Sequence, residues 1–186
     1  MNIKKIISGK NVPEDVYAII EIPANSSPIK YEMNKNYNTL FVDRFIASNM
    51  IYPCNYGYIN NTLSLDGDPL DILVVTPYPL LSNSVIQCRP IGLLKMKDES
   101  GEDEKIISVP DKKISEEYNC INDITDFPIL LKKQIEHFFE NYKKLEKGKW
   151  VKIISWENKK IAKEVILRSI KRKEKKSLNS KKKSNN

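Results

Sequence analysis

The chain contains one histidine, His137, and three cysteines, Cys54, Cys88 and Cys120, which lie 34 and 32 residues apart. With no C-x-x-C pair and an odd thiol count, the usual zinc spacings are excluded and a disulfide framework is not expected. The three thiols read as small buried side chains. No G-x-x-x-x-G-K-[ST] loop is present, which argues against P-loop nucleotide hydrolysis. No apolar run approaches the roughly 20 residues that cross a bilayer. The start, MNIKKIISGK, has basic residues but no apolar stretch of signal-peptide length behind them. A cytoplasmic protein without membrane contact is the expectation.

What is present is ordinary for a globular domain: 186 residues, 40% hydrophobic, 30% charged, ten prolines. The net charge of +7 is localised. From Arg168 onward nine Lys or Arg face one acid, Glu174, so this end carries +8 and the first 167 residues sum to −1. Basicity belongs to a tail and says little about what the body binds. One domain over 1–173 is expected, followed by a lysine-rich, low-complexity and disordered tail over 174–186.

The first 110 residues read as strands separated by Pro, Asn, Gly and Asp: 16–24, 29–34, 39–46, 55–59, 71–77, 84–96 and 105–110. A helix is expected over 126–148, with Asp126 as N-cap, Gly148 as stop and an apolar stripe of Leu131, Ile135, Phe138, Tyr142 and Leu145. A strand over 149–156 and a helix from about 157 into the lysine-rich end complete the pattern. Many short strands followed by helices predict an α+β domain around a small closed or nearly closed barrel.

The stretch SLDGDPLDIL crowds Asp66, Asp68 and Asp71 into six positions. Asp-Gly and Asp-Pro form turns, so a plain connection is one reading. The other is a cation site, because like charges at this spacing repel unless something positive sits among them. An EF-hand loop fails by count: starting at Asp66, the glycine position holds Asp71 and the twelfth holds Pro77. Carboxylates without His or Cys neighbours select hard ions such as Mg²⁺ or Mn²⁺.

A second acidic run, KDESGEDEK, carries Asp98, Glu99, Glu102, Asp103 and Glu104; it reads either as a solvated hairpin loop or as the other half of a multi-metal site. The period of two places Lys30 and Glu32 on one face of their strand, Arg44 beside Leu40, Val42 and Ile46, and Glu21 beside Tyr17 and Ile19. Such faces are either wet edges or walls of a polar cavity. Tyr52, Tyr56 and Tyr58 precede the aspartates, and Tyr142 sits on the helix stripe beside Lys143, as a core residue or as a donor reaching out of the core. Carboxylates for metals with Lys, Arg and Tyr nearby suit a compact, highly charged oxyanion such as a phosphate or polyphosphate. His137 lies beside the stripe residue Phe138 and reads as structural or interfacial.

The run Asp66-Gly67-Asp68-Pro69-Leu70-Asp71-Ile72 resembles the D-x-D-P-x-D signature of the soluble family I inorganic pyrophosphatases. EIPANSSPIKYE at 21–32, FVDRF at 41–45, YPCNYGYI at 52–59, GEDEK at 101–105 and EKGKWVK at 146–152 are similar to that family's bacterial members, over roughly residues 1–170. The resemblance implies a distorted OB-like five-stranded barrel with two main C-terminal helices, assembled as a homohexamer of two trimers. It implies a Mg²⁺-dependent hydrolase, with Mn²⁺ or other divalent ions as substitutes, that splits pyrophosphate into two phosphates.

Carried over, Asp66, Asp71 and Asp103 would hold the first metals and Asp71 would bridge two of them; Asp98 and Glu21 would serve metals arriving with substrate. Asp68 would take a proton from the attacking water. Lys30, Arg44, Tyr56, Lys105, Tyr142 and Lys143 would grip the phosphates, with Glu32 in support. The rival reading is a nucleic-acid-binding barrel. The slightly acidic body counts against it and leaves only weak, salt-sensitive contact by the basic tail.

Overall fold

The computed structural model describes residues 3–184, with side chains described to residue 179. A 3-10 turn (Ile3–Lys5) leads into eight strands and two helices: β1 (Val16–Ile22), β2 (Ile29–Asn34), β3 (Thr39–Phe45), β4 (Asn55–Ile59), β5 (Leu70–Val74), β6 (Val85–Asp98), β7 (Gly101–Pro110), α1 (Ile129–Asn141), β8 (Val151–Asn158) and α2 (Lys159–Ser184). Each of the ten expected elements is present. The order of strands is β1-β4-β5-β7-β6-β8, and an additional β1–β6 pairing closes the first five into a ring. This ring is the barrel expected from the sequence. β8 lies outside it on the second half of β6, and β2 with β3 form a separate hairpin.

The ring strands are apolar on both sides, and their period of two divides the core. Leu70, Ile72 and Val74 of β5, Leu93 of β6 and Ile106 of β7 join a cluster capped by Ala162, Val165 and Ile166 of α2. Leu73, Leu94, Met96, Ile107 and Val109 point the other way, into a cluster with Tyr52, Tyr56 and the α1 residues Ile135, Phe138 and Phe139. Both faces of the ring are therefore covered by helices, which is why its strands read as near-continuous apolar runs. At Gly57 the β1 and β4 backbones meet so closely that a Cβ would lie 1.9 Å from the Ile19 carbonyl oxygen.

Several local expectations are corrected. α1 begins after Pro128 without a side-chain cap. The Asp126 carboxylate instead accepts from the amides of Asn122 and Asp123 in the preceding loop. α1 ends at Asn141, so Tyr142 and Lys143 fall just past it, and Leu145 is exposed rather than on a buried stripe. Gly148, with φ 76°, turns the chain towards β8. Cys54 and Cys88 are buried as expected, whereas Cys120 is exposed on the loop before α1. α2 runs on through 174–184 of the lysine-rich segment, where Lys and Glu are good helix formers. Residues 185 and 186 of that segment lie outside the described residues. Among the described residues, no helix is long and apolar enough to cross a membrane.

Candidate active site

β5 and β7 run parallel in the ring, and Asp71 and Lys105 are Cα partners in that pairing. In β7 the residues from Lys105 to Pro110 are buried, while Gly101–Glu104 rise out of the core beside the end of β6. The acidic run at 97–105 is therefore mostly strand. Only Glu99 and Ser100 form its turn, and Asp98 is 8% exposed. The other acidic run forms the loop entering β5. Its base is tied where Thr62 Oγ1 accepts from the Leu70 amide at 2.8 Å. Its tip turns through Gly67, φ 101°, with Asp66 Oδ1 accepting from the Asp68 amide at 3.0 Å. Asp-Gly-Asp makes this turn because the side chain closes it and glycine takes the positive φ. The plain-turn reading is thus correct for the backbone, and the carboxylates remain for other use.

Both acidic segments open onto one cavity of about 550 Å³. All thirteen residues singled out by sequence line it: Glu21, Lys30, Glu32, Arg44, Tyr56, Asp66, Asp68, Asp71, Asp98, Asp103, Lys105, Tyr142 and Lys143. β1 supplies Glu21, the β2–β3 hairpin supplies Lys30, Glu32 and Arg44, β4 supplies Tyr56, and the chain leaving α1 supplies Tyr142 and Lys143. The polar strand faces are cavity walls rather than wet edges. Tyr142 is core and wall at once: it is 6% exposed, stacked on Phe138 at 5.1 Å, and borders the cavity. His137 is exposed and outside the cavity lining, with Nδ1 3.2 Å from Asn141 Nδ2.

Charge is finely balanced here. The Lys105 ammonium bonds to Asp71 and lies 2.8 Å from Asp103. Burial works against its charge, yet Asp103 and Asp71 outweigh burial and hold its pKa well above the ordinary lysine value. Lys143 is 2.7 Å from Asp98, and Lys149 is 2.7 Å from Glu99. Lys30 pairs with Glu32, and Arg44 reaches Asp43 at 2.6 Å and Glu146 at 3.1 Å.

Among the described residues four acids of the cavity, Glu21, Asp66, Asp68 and Glu102, have no lysine or arginine within ion-pair distance. Glu21, buried and with Asp71 and Glu32 nearby, accepts from the Met33 amide at 2.7 Å, and its pKa is pushed up to about 8, mainly by desolvation. Asp68 is raised by burial and by Asp66 beside it. Among the described residues no three carboxylates are gathered closely enough to hold an ion by themselves. Desolvation disfavours the charged form of Glu21, a cost that a cation in the cavity would offset. An all-oxygen donor set fits hard divalent cations.

Sequence reasoning did not assign Lys35, Glu99, Glu102, Lys149 or Lys173, which also line the cavity. Glu99 and Glu102 lay within a run already noted, and Lys149 within a quoted motif. Lys35 and Lys173 gave no signal, because a lysine in a hairpin turn and another in a basic run look like solvated charges.

The sequence model of one family, Inorganic pyrophosphatase, matches residues 18–174. The inorganic pyrophosphatase of Escherichia coli (strain K12) is 60% identical over 172 residues, covering 92% of this chain and 98% of the relative. That of Salmonella typhimurium is 60% identical over 176 residues, covering 95% and 100%. Among solved structures, an inorganic pyrophosphatase from Thermus thermophilus superposes with a TM-score of 0.88 at 42% identity, over 94% of this chain and 99% of that one. An inorganic phosphatase from Anaplasma phagocytophilum gives a TM-score of 0.90 at 44% identity, over 91% and 99%.

Proposed function

Because the chain belongs to the inorganic pyrophosphatase family, we propose that it hydrolyses inorganic pyrophosphate to two orthophosphates in a site holding several Mg²⁺ ions. The observation that carries this reading is the opening of two distant acidic segments, 66–71 and 98–103, onto one cavity walled by lysine, arginine and tyrosine. Asp66, Asp71 and Asp103 hold the first ions, and Asp98 and Glu21 those that enter with substrate. When bound, the ions supply a water acidified towards a pKa of about 7 and neutralise charge on the phosphates.

The chain's own groups do the rest. Asp68 accepts the proton of the attacking water, a role to which its raised pKa is suited. Lys30, Arg44, Lys105 and Lys143 bind and orient phosphate oxygens, so that an anionic nucleophile can approach an anion. The buried phenols of Tyr56 and Tyr142, whose pKa values are raised by desolvation, stay protonated as donors. Glu32 orients Lys30. Water as nucleophile requires no covalent intermediate, in keeping with a histidine outside the cavity.

The domain is assigned to 1–173, with 174–186 an appendage making only weak, salt-sensitive contact with nucleic acid. Assembly as a homohexamer of two trimers and a cytoplasmic location complete the proposal. Phosphate release from pyrophosphate, with and without magnesium and with ATP and a phosphomonoester as controls, is the test. Release confined to pyrophosphate and to magnesium-containing samples is expected, and its absence would remove the reading.

A further inference from the structure

A second cavity, a groove of about 380 Å³, lies between β6 and α2. Lys95 and Lys97 of β6 and Arg168 and Arg172 of α2 line it, against two carboxylates, Glu102 and Glu104 of β7. Glu102 borders both cavities, so the groove adjoins the active site. α2 carries the charge onward. Lys171, Lys175 and Lys176 follow Arg168 and Arg172 at the i, i+3, i+4, i+7, i+8 spacing of one helical face, a run of about 12 Å at 1.5 Å per residue. Among the described residues none of these seven cations has a carboxylate within ion-pair distance.

The strip is set by the fold. Ala162, Val165, Ile166 and Ser169 are buried against the body, whereas every side chain over 174–179 is exposed, so the helix leaves the body at that point. Its direction is fixed at Leu63, whose amide donates to the Ser169 carbonyl at 3.0 Å and whose carbonyl accepts from the Arg172 guanidinium.

The chemistry of the strip selects its partner. A helix that lies on a membrane buries a broad apolar face, and Leu178 is the single large apolar side chain over 174–179. Single-stranded nucleic acid is held by stacking on aromatic rings, and neither the groove lining nor residues 168–179 include Phe, Tyr or Trp. Protein interfaces deplete charge around an apolar core; here the two exposed large apolar side chains of the groove, Leu65 and Ile154, are outnumbered by its four cations. A rod of evenly spaced phosphates fits the remaining features. Duplex nucleic acid carries one charge per about 1.7 Å of axis, and lysine and arginine contacts to its phosphates read no sequence.

We propose that the β6–α2 groove and the basic face of α2 form a binding surface for the phosphate backbone of double-stranded nucleic acid. This rests on the weak nucleic-acid contact assigned above to 174–186 and centres it on the folded body, beside the active site. Binding is salt-sensitive because lysine and arginine displace condensed counterions.

The test measures fluorescence anisotropy of a labelled DNA duplex against NaCl concentration, in EDTA, with the full chain and three pair variants. These are Lys95→Gln with Lys97→Gln in the groove, Lys175→Gln with Lys176→Gln on the helix, and Lys112→Gln with Lys113→Gln on an exposed loop off the strip. The wild-type chain should bind with a Kd of about 10⁻⁵ M near physiological salt, and log K should fall against log salt with a slope of about −4 to −5. The groove and helix variants should each bind about tenfold more weakly, with a slope shallower by about 2, while the loop variant matches wild type. Equal losses in all three would show net charge alone at work and overturn the surface. A loss in the helix variant with none in the groove variant would also overturn it, leaving the contact to the appendage. No binding by the wild-type chain at low salt would remove both. Poly-L-aspartate or phosphatidylglycerol vesicles held as tightly as duplex would overturn the assignment to nucleic acid. None of the four strip lysines lines the catalytic cavity, so pyrophosphate turnover should equal wild type in the groove and helix variants. A chain that binds duplex but leaves pyrophosphate intact would sink the pyrophosphatase reading alone.

Discussion

Asp71 and Lys105 are side-by-side partners on parallel strands, and the lysine ammonium bridges Asp71 to Asp103 on the same strand as itself. One 6%-exposed lysine side chain thereby neutralises carboxylates contributed by both acidic segments. In metal-free protein this ion pair is the chief compensation for two poorly solvated acids.

Replacing Lys105 with Met should therefore destabilise the metal-free protein by about 3 kcal/mol, the usual cost of stranding a largely buried charge. Added magnesium should restore much of that loss, because ligands that bind only the folded state stabilise it by mass action. Urea unfolding with and without magnesium measures both effects. Equal stability of the variant and wild type in EDTA would contradict the proposed balance.

Asp68, like Asp66, has no cationic partner within ion-pair distance among the described residues, and its pKa is raised by burial and by Asp66. Asp68→Asn keeps the side chain's volume and its place in the turn, so circular dichroism and metal affinity should hold. Turnover should fall by about 10²–10⁴, the worth of one positioned proton acceptor. Near-normal turnover would take Asp68 out of the proton-accepting role.

How far the sequence foretold this site depends on the kind of order involved. The ring strands were legible because Ile, Val and Leu fill both of their faces, and the site residues because the polar faces of β1, β2 and β3 break that pattern at Glu21, Lys30, Glu32 and Arg44. The ends of α1 were not legible. Asp126 and Gly148 both carry boundary signals, but tertiary bonds from Asn122 and Asp123 claim the first, and a turn towards β8 claims the second. Lys35 and Lys173 were invisible for a further reason. They are 138 positions apart, and only the docking of α2 across the ring from the β2–β3 hairpin brings them to one cavity.

Gly57 tests the close antiparallel pairing of β1 with β4. An added methyl would meet backbone, the Ile19 carbonyl oxygen and carbon at 1.9 and 2.8 Å, which no side-chain rotation relieves. Gly57→Ala should cost about 1–3 kcal/mol or more, as overpacking does, and should disturb the neighbouring wall residues Tyr56 and Tyr58. Thermal unfolding and soluble yield report the loss. A variant as stable as wild type would mean that the strands separate without penalty.

The cysteines give a test that needs no substitution. Burial pushes the Cys54 and Cys88 thiols up to about 12, while Cys120 lies exposed on the loop before α1. Thiolate is the reacting form, so at pH 8 only about one in 10⁴ of either buried thiol is ionised, and both are also shielded from reagent. Native protein should consume one equivalent of an aromatic disulfide reagent rapidly, and denatured protein three. Mass spectrometry of the native adduct should find the label on Cys120. Rapid labelling of Cys88 would show instead that β1 and β6, which enclose it through the Val16 carbonyl 3.6 Å from its sulfur, open readily and that the five-stranded ring is loose at that seam.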